Sequence, residues 1–198
     1  MLSRIVIPLL IVLLGASSFF AVRSLMFDIP HRDILIDANS AYIAGNHLEV
    51  QRLLSGVALE DMDVPTRYLL SRSYVITEPL TDAQRANVLM GLTQLTNPVL
   101  FDYWILLGRL QLEEAIDLAQ RLGDGELQLF ALLKFDAIVR ADTTMPGDEK
   151  VARLAYLERQ INELQRVRDD AAAAEAAAIA EAEAAEAEAI AAAEAEAE

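Results

Sequence analysis

Between Asp33 and Leu164 the apolar residues return every third or fourth position, and no two runs alternate in the way a strand pair requires. A chain with that rhythm has to bury stripes rather than faces, so it is expected to be all-α. Breakers cut the rhythm into short helices. "DILIDANSAYIA" sets Ile34, Leu35, Ala38, Ala41 and Tyr42 on one side, and Gly45-Asn46 then ends it. "HLEVQRLLS" follows with Leu48, Val50, Leu53 and Leu54. Pro65 suits the first turn of "PTRYLLSRSYVI", Thr81-Asp82-Ala83-Gln84 has the form of a capping box, and Asn97-Pro98 places a cap residue ahead of an N-terminal proline. Residues 110–134 read as two helices split at Gly123-Asp124-Gly125, with Asp124 as the N-cap of the second. After "DTTMPG" a last helix is expected from about Pro146 to Asp170.

Two of the hairpin seams look alike. "GNHLEVQRLL" begins at Gly45 and "LQLEEAIDLA" at Leu110, 65 residues on, nearly twice the tetratricopeptide period of about 34. Gly45 fits the glycine of that repeat and Leu110 does not, and Val50 stands where Ala115 stands. The resemblance is therefore one of shape: stacked tetratricopeptide-like hairpins, which bury their stripes only against neighbours. In the last helix Leu154, Leu157, Ile161 and Leu164 step by three, four and three, the spacing of a coiled-coil seam. Two heptads either pack on the preceding hairpin or serve as a seam for self-association.

The ends differ from the body. Ile5 to Val22 is an 18-residue stretch without a charge, including Pro8, Leu14, Phe19 and Phe20. As a helix it is about 27 Å long, and continuing through Phe27 brings it to about 34 Å, enough to cross a hydrocarbon core of about 30 Å. The rival reading is a signal peptide cleaved near Ala16-Ser17-Ser18, but the apolar run resumes beyond that point. Arg4 lies on one side of the span and Arg23 and Arg32 on the other, so basic residues do not set its orientation. Ala171 to Glu198 is alanine and glutamate with only Ile179 and Ile190 intruding, expected to leave the body as a fraying helix or a solvated tail. The domain reading is a short end at 1–4, a transmembrane helix at 5–27, a helical domain at 28–170 and the tail at 171–198.

Charge and composition exclude several functions. The net charge is −15, and of the 31 acidic residues eight lie in the tail, leaving 23 against all 16 bases in the body. Without a basic face, nucleic acid is not an expected partner. There is no cysteine, which removes disulfides, thiolate metal sites and cysteine nucleophiles. His31, with Asp28 and Asp33 nearby, is a sparse metal set and reads as a solvated histidine; His47 falls at a hairpin turn, where packing or capping explains it. There is no glycine-rich phosphate loop, HExxH or GxSxG. Phe101, Tyr103 and Trp104 form an aromatic cluster at helical spacing, either core or a groove for a partner. No catalytic constellation emerges, no cofactor is expected, and an enzyme is not.

The stretch from Tyr103 to Leu154 resembles the C-terminal region of the EssB/YukC membrane proteins of the Firmicute type VII secretion system. The pieces that carry the resemblance are "GR…EEAIDLA", "LGDGELQLFAL" and "VRADTTMPGDEK", with "ANSAYIAGNHLEVQRLL" and "RYLLSRSYVITEPLTDAQR" ahead of them in the same order. It implies a non-catalytic, single-pass scaffold of the cell membrane, N-terminus cytoplasmic and helical domain extracytoplasmic. It also implies a homodimer associated with other membrane subunits, including an FtsK-like ATPase that drives export of small WXG-type proteins. Members of the family carry an inactive kinase-like domain ahead of the span, where this sequence has Met1 to Arg4, so that domain's functions are not expected of these residues. The alternative is a secreted helical-repeat binding module with a cleaved signal peptide.

Overall fold

The structure, a computed structural model, describes residues 29–196, with side chains from Arg32 to Glu183. The expected span, with Ile5, Pro8, Leu14, Phe19, Phe20 and Val22, lies outside the described residues, as do the side chains of Asp28 and His31. Among the described residues no helix is long and apolar enough to cross a membrane. All regular structure in that range is helical, in the order α1 (Ile29–Ile43), α2 (His47–Leu54), a 3-10 turn (Leu59–Asp61), α3 (Val64–Thr77), α4 (Asp82–Gly91), α5 (Pro98–Gly108), α6 (Leu112–Leu122), α7 (Gly125–Ala141) and α8 (Gly147–Glu196). The chain divides into two compact units between Leu110 and Gln111.

The start signals act as their chemistry dictates. Asp63 accepts the Thr66 N–H ahead of α3, with Pro65 in its first turn. Thr81 and Gln84 bond reciprocally, and Asn97 accepts the Val99 N–H ahead of Pro98. The Asp124 carboxylate takes the N–H groups of Glu126 and Leu127. The last helix does not stop at Asp170: it continues through the alanine-rich segment to Glu196. Alanine's helix propensity therefore outlasts the absence of i,i+4 cation partners for its glutamates.

In the N-terminal unit α3 is the hub, packing on α1, α2, α4 and α5. Val50, Leu54, Met62, Leu70 and Ile105 form its core with Ala38, and Ile34, Leu35, Ala41, Tyr42 and Tyr74 pack around them. The helix ends are closed by arginines. Arg109 Nη2 donates to the carbonyls of Leu54 and Val57, both at 2.8 Å. Arg72 Nη1 donates to Leu89 and Leu92, and Arg85 Nη2 to Glu78 and Leu80. The last turn of a helix leaves carbonyls without intrahelical donors, and each guanidinium satisfies two carbonyls at or just beyond a helix end. A cavity is absent where α3 and α5 cross at Gly108: a β-carbon there would overlap the Tyr74 ring.

The two seams that look alike in sequence are alike in backbone. Gly45 has φ +74° and Leu110 has φ +60°, and the cap residues after them, Asn46 and Gln111, share φ near −85° and ψ near +70°. Val50 and Ala115 are fully buried, as are Leu54 and Ala119 nine residues after each turn. Leu110 is the non-glycine residue in the left-handed region among those described, and its side chain is 57% exposed. That conformation costs an L-residue roughly 1–2 kcal/mol. Leu110→Gly is therefore expected to stabilise the protein by about 0.5–1 kcal/mol, read as a rise in the urea midpoint, after glycine's greater unfolded-state entropy is set against the relief. A lower midpoint would mean the leucine side chain packs usefully despite its exposure.

The C-terminal unit is a three-helix stack in which α7 packs on both α6 and α8. Its core is Leu129, Leu132 and Val139 of α7 with Leu157 and Ile161 of α8, bordered by Ile116, Phe135, Met145, Leu154 and Leu164. The heptad residues Leu154, Leu157, Ile161 and Leu164 thus all point into their own chain. Beyond Leu164 the described side chains of α8 are half-buried only at Gln165; Arg166 to Glu183 are exposed.

Candidate functional site

Among the described residues no group of three or more His, Asp or Glu converges as a metal would need. His47 is held by packing and a hydrogen bond. Its ring meets Tyr42 edge-on at 5.5 Å, and its Nδ1 lies 3.3 Å from the Ser73 hydroxyl. Partial burial, then the Arg72 guanidinium, push its pKa below the ordinary histidine value. The unfolded chain therefore takes up this proton before the folded one does. Stability through His47 is complete above about pH 6.5 and falls as pH drops below it. Thermal unfolding at pH 7, 6 and 5 is expected to show that loss, and His47→Gln should flatten it.

Asp102 and Arg67 form a partly buried ion pair, with the guanidinium 3.1 and 3.3 Å from the carboxylate oxygens. Burial pushes the Asp102 carboxyl up, and Arg67 offsets this only in part. Both groups belong to the clasp between α3 and α5. The aromatic cluster is core as well: Phe101 and Tyr103 are fully buried and Trp104 is 3% exposed. Tyr103 and Trp104 meet edge-on at 5.3 Å, and Phe101 meets Tyr68 in the same way. Phe101, Tyr103 and Trp104 therefore present no groove to a partner in this conformation.

A concavity lies in the C-terminal unit, a groove of about 560 Å³ among α6, α7 and α8. Its floor is apolar: Ile116 from α6, Leu132 and Phe135 from α7, Leu157 from α8. Its rim is largely acidic, with Glu113 and Asp117 one turn apart on α6 and Glu149 at the start of α8. One cation crosses it. The Arg153 guanidinium is ion-paired to Glu113 and lies 5.4 Å from the centre of the Phe135 ring. Tyr156, 51% exposed, and Ala152 complete the α8 wall. A shallower depression of about 460 Å³ sits at the Gly123–Gly125 turn against Leu129, Leu164 and Val167. Its Asp124 carboxylate is already committed to capping α7.

The groove escapes a reading of the sequence because it takes residues 113, 135 and 153 from three helices. The visible signal, Glu113 and Asp117 on one face of α6, is indistinguishable from an ordinary solvated face.

Comparison with known proteins gives a consistent answer. Residues 1–167 match the family described as "WXG100 protein secretion system (Wss), protein YukC". The chain is 31% identical over 140 residues to the ESX secretion system protein YukC of Bacillus subtilis, covering 70% of this chain and 31% of that protein. It is 27% identical over 135 residues to an uncharacterised protein of Clostridium acetobutylicum, covering 68% and 36%. It spans about a third of the length of these relatives. Among solved structures, the extracellular fragment of Geobacillus thermodenitrificans EssB superposes with a TM-score of 0.66 at 35% identity, over 73% of this chain and 95% of that one.

Proposed function

The chain belongs to the EssB/YukC family of the WXG100 secretion system, and from that premise we propose that it is a non-catalytic, single-pass membrane scaffold of a type VII secretion machine. The observation that carries this is the near-complete coverage of the Geobacillus extracellular fragment by the helical region described here. In this reading residues 28–170 stand outside the membrane, the apolar stretch Ile5 to Phe27 is the anchor, and residues 1–4 are cytoplasmic. The partners in this reading are a second copy of the chain, the bilayer, and other membrane subunits including an FtsK-like ATPase.

The test is fractionation followed by affinity capture from detergent. The protein is expected to remain in the membrane pellet after alkaline carbonate washing and to bring the secretion ATPase with it. Recovery as a soluble protein cleaved after Ser18, identified by the mass of its N-terminus, would sink the anchored reading in favour of a secreted binding module.

A further inference from the structure

We propose that the groove of the C-terminal unit docks an amphipathic helix of another protein, one that sets a large apolar anchor beside lysine or arginine. The inference stands on that unit's own geometry and holds whether or not the chain is anchored in a membrane.

Three observations point to this occupant. The groove's floor is a ready pocket for one or two side chains, with the Phe135 ring in its lining and the Arg153 guanidinium over that ring. A volume of about 560 Å³ is within the range of sites that take up anchor residues. The rim then selects by charge. Glu113, Asp117 and Glu149 outnumber Arg153 three to one, so the groove attracts cations and repels acids. That counts against a second copy of this chain, which carries a net charge of −15, and against its own glutamate tail.

Arg153 occupies the place that the incoming cation would take. It spends its charge on Glu113 and on the Phe135 ring face, the two groups an arginine or lysine of the partner would use. At 37% side-chain exposure it can swing outward, leaving both groups to the newcomer. An apolar anchor in the pocket and a cation on the rim are the pairing by which helices are recognised in grooves.

The experiment uses the full chain in detergent and a short fluorescein-labelled helical peptide with leucines on one face and lysines flanking them. Two control peptides replace the lysines by glutamate or the leucines by alanine. Anisotropy is expected to show binding of the first peptide and at least tenfold weaker binding of both controls. Ala152→Trp fills the groove without altering its charge and should weaken binding at least tenfold, with the thermal midpoint unchanged. Asp117→Lys with Glu149→Lys, both on exposed positions, should do the same by charge alone. Arg153→Gln should tighten binding severalfold. Unchanged binding to Ala152→Trp would place the peptide on the acidic tail and overturn the proposal. So would a fall in the mass of the protein alone on that substitution, because a second copy would then fill the groove. Weaker binding to Arg153→Gln would overturn Glu113 and Phe135 as the receiving groups.

Discussion

Leu157→Asp unfolds the C-terminal unit. Leu157 is fully buried among Leu129, Leu132, Val139 and Ile161, and a carboxylate there would have no cation or donor within the cluster. Burying an unpaired charge, on top of losing a leucine's packing, is expected to cost at least about 4 kcal/mol. Circular dichroism in urea should show a low-midpoint transition absent from the parent. Leu157→Ala should give a milder loss of about 2–5 kcal/mol. Parental stability in Leu157→Asp would mean the α7–α8 packing is wrong. The substitution is therefore no probe of self-association, since it removes the fold before it touches an interface. Self-association has to be asked at an exposed position of α8 such as Val151, which is 68% exposed. Aspartate there, with light scattering as the readout, asks whether that side of α8 holds a dimer while leaving the core intact.

Gly108→Ala is expected to destabilise the N-terminal unit although alanine is the better helix former. Propensity alone would add about 1 kcal/mol in favour of alanine. Against it, the new methyl would overlap the base of the Tyr74 ring, which is not a flexible end that can swing aside. Forcing apart a close helix crossing costs about 1–3 kcal/mol, and the net result should be a loss of about 1–2 kcal/mol by urea unfolding. The decisive comparison is the same substitution in a Tyr74→Ala background, where alanine at 108 should be neutral or stabilising. Equal losses in both backgrounds would show no coupling between the two positions and refute the close approach of α3 and α5.

What could be read from the sequence was what neighbouring residues decide among themselves. The Thr81–Gln84 capping box, the Asn97-Pro98 and Asp124 starts and the break at Gly45 each depend on groups no more than three positions apart. The helix after Gly147 was legible to about Asp170, and beyond it the sequence left a fraying helix and a solvated tail both open, because propensity and charge pulled in opposite directions there. Contacts across longer separations left no trace. Tyr74 and Gly108 are 34 residues apart, and nothing about a glycine at the end of α5 announces the ring above it. The arginine clamps are similar: Arg109 reaches carbonyls at 54 and 57, acceptors present at every position and so invisible as sequence. Leu110 is the instructive case. Its alignment with Gly45 looked imperfect because the residue types differ, yet the two backbones share a left-handed turn. The position is fixed by the chain path and the residue tolerates it.

The order of packing has a consequence for how quickly the native state is reached. In both units the principal contacts join helices adjacent or nearly adjacent along the chain: α1 with α2, α2 with α3, α3 with α5, α6 with α7, α7 with α8. Loop closures are therefore short, and a topology of that kind is reached in microseconds to milliseconds rather than seconds. Each pair can close as soon as its second helix is present, so native structure can accumulate from the N-terminal side while the remainder of the chain is still being made.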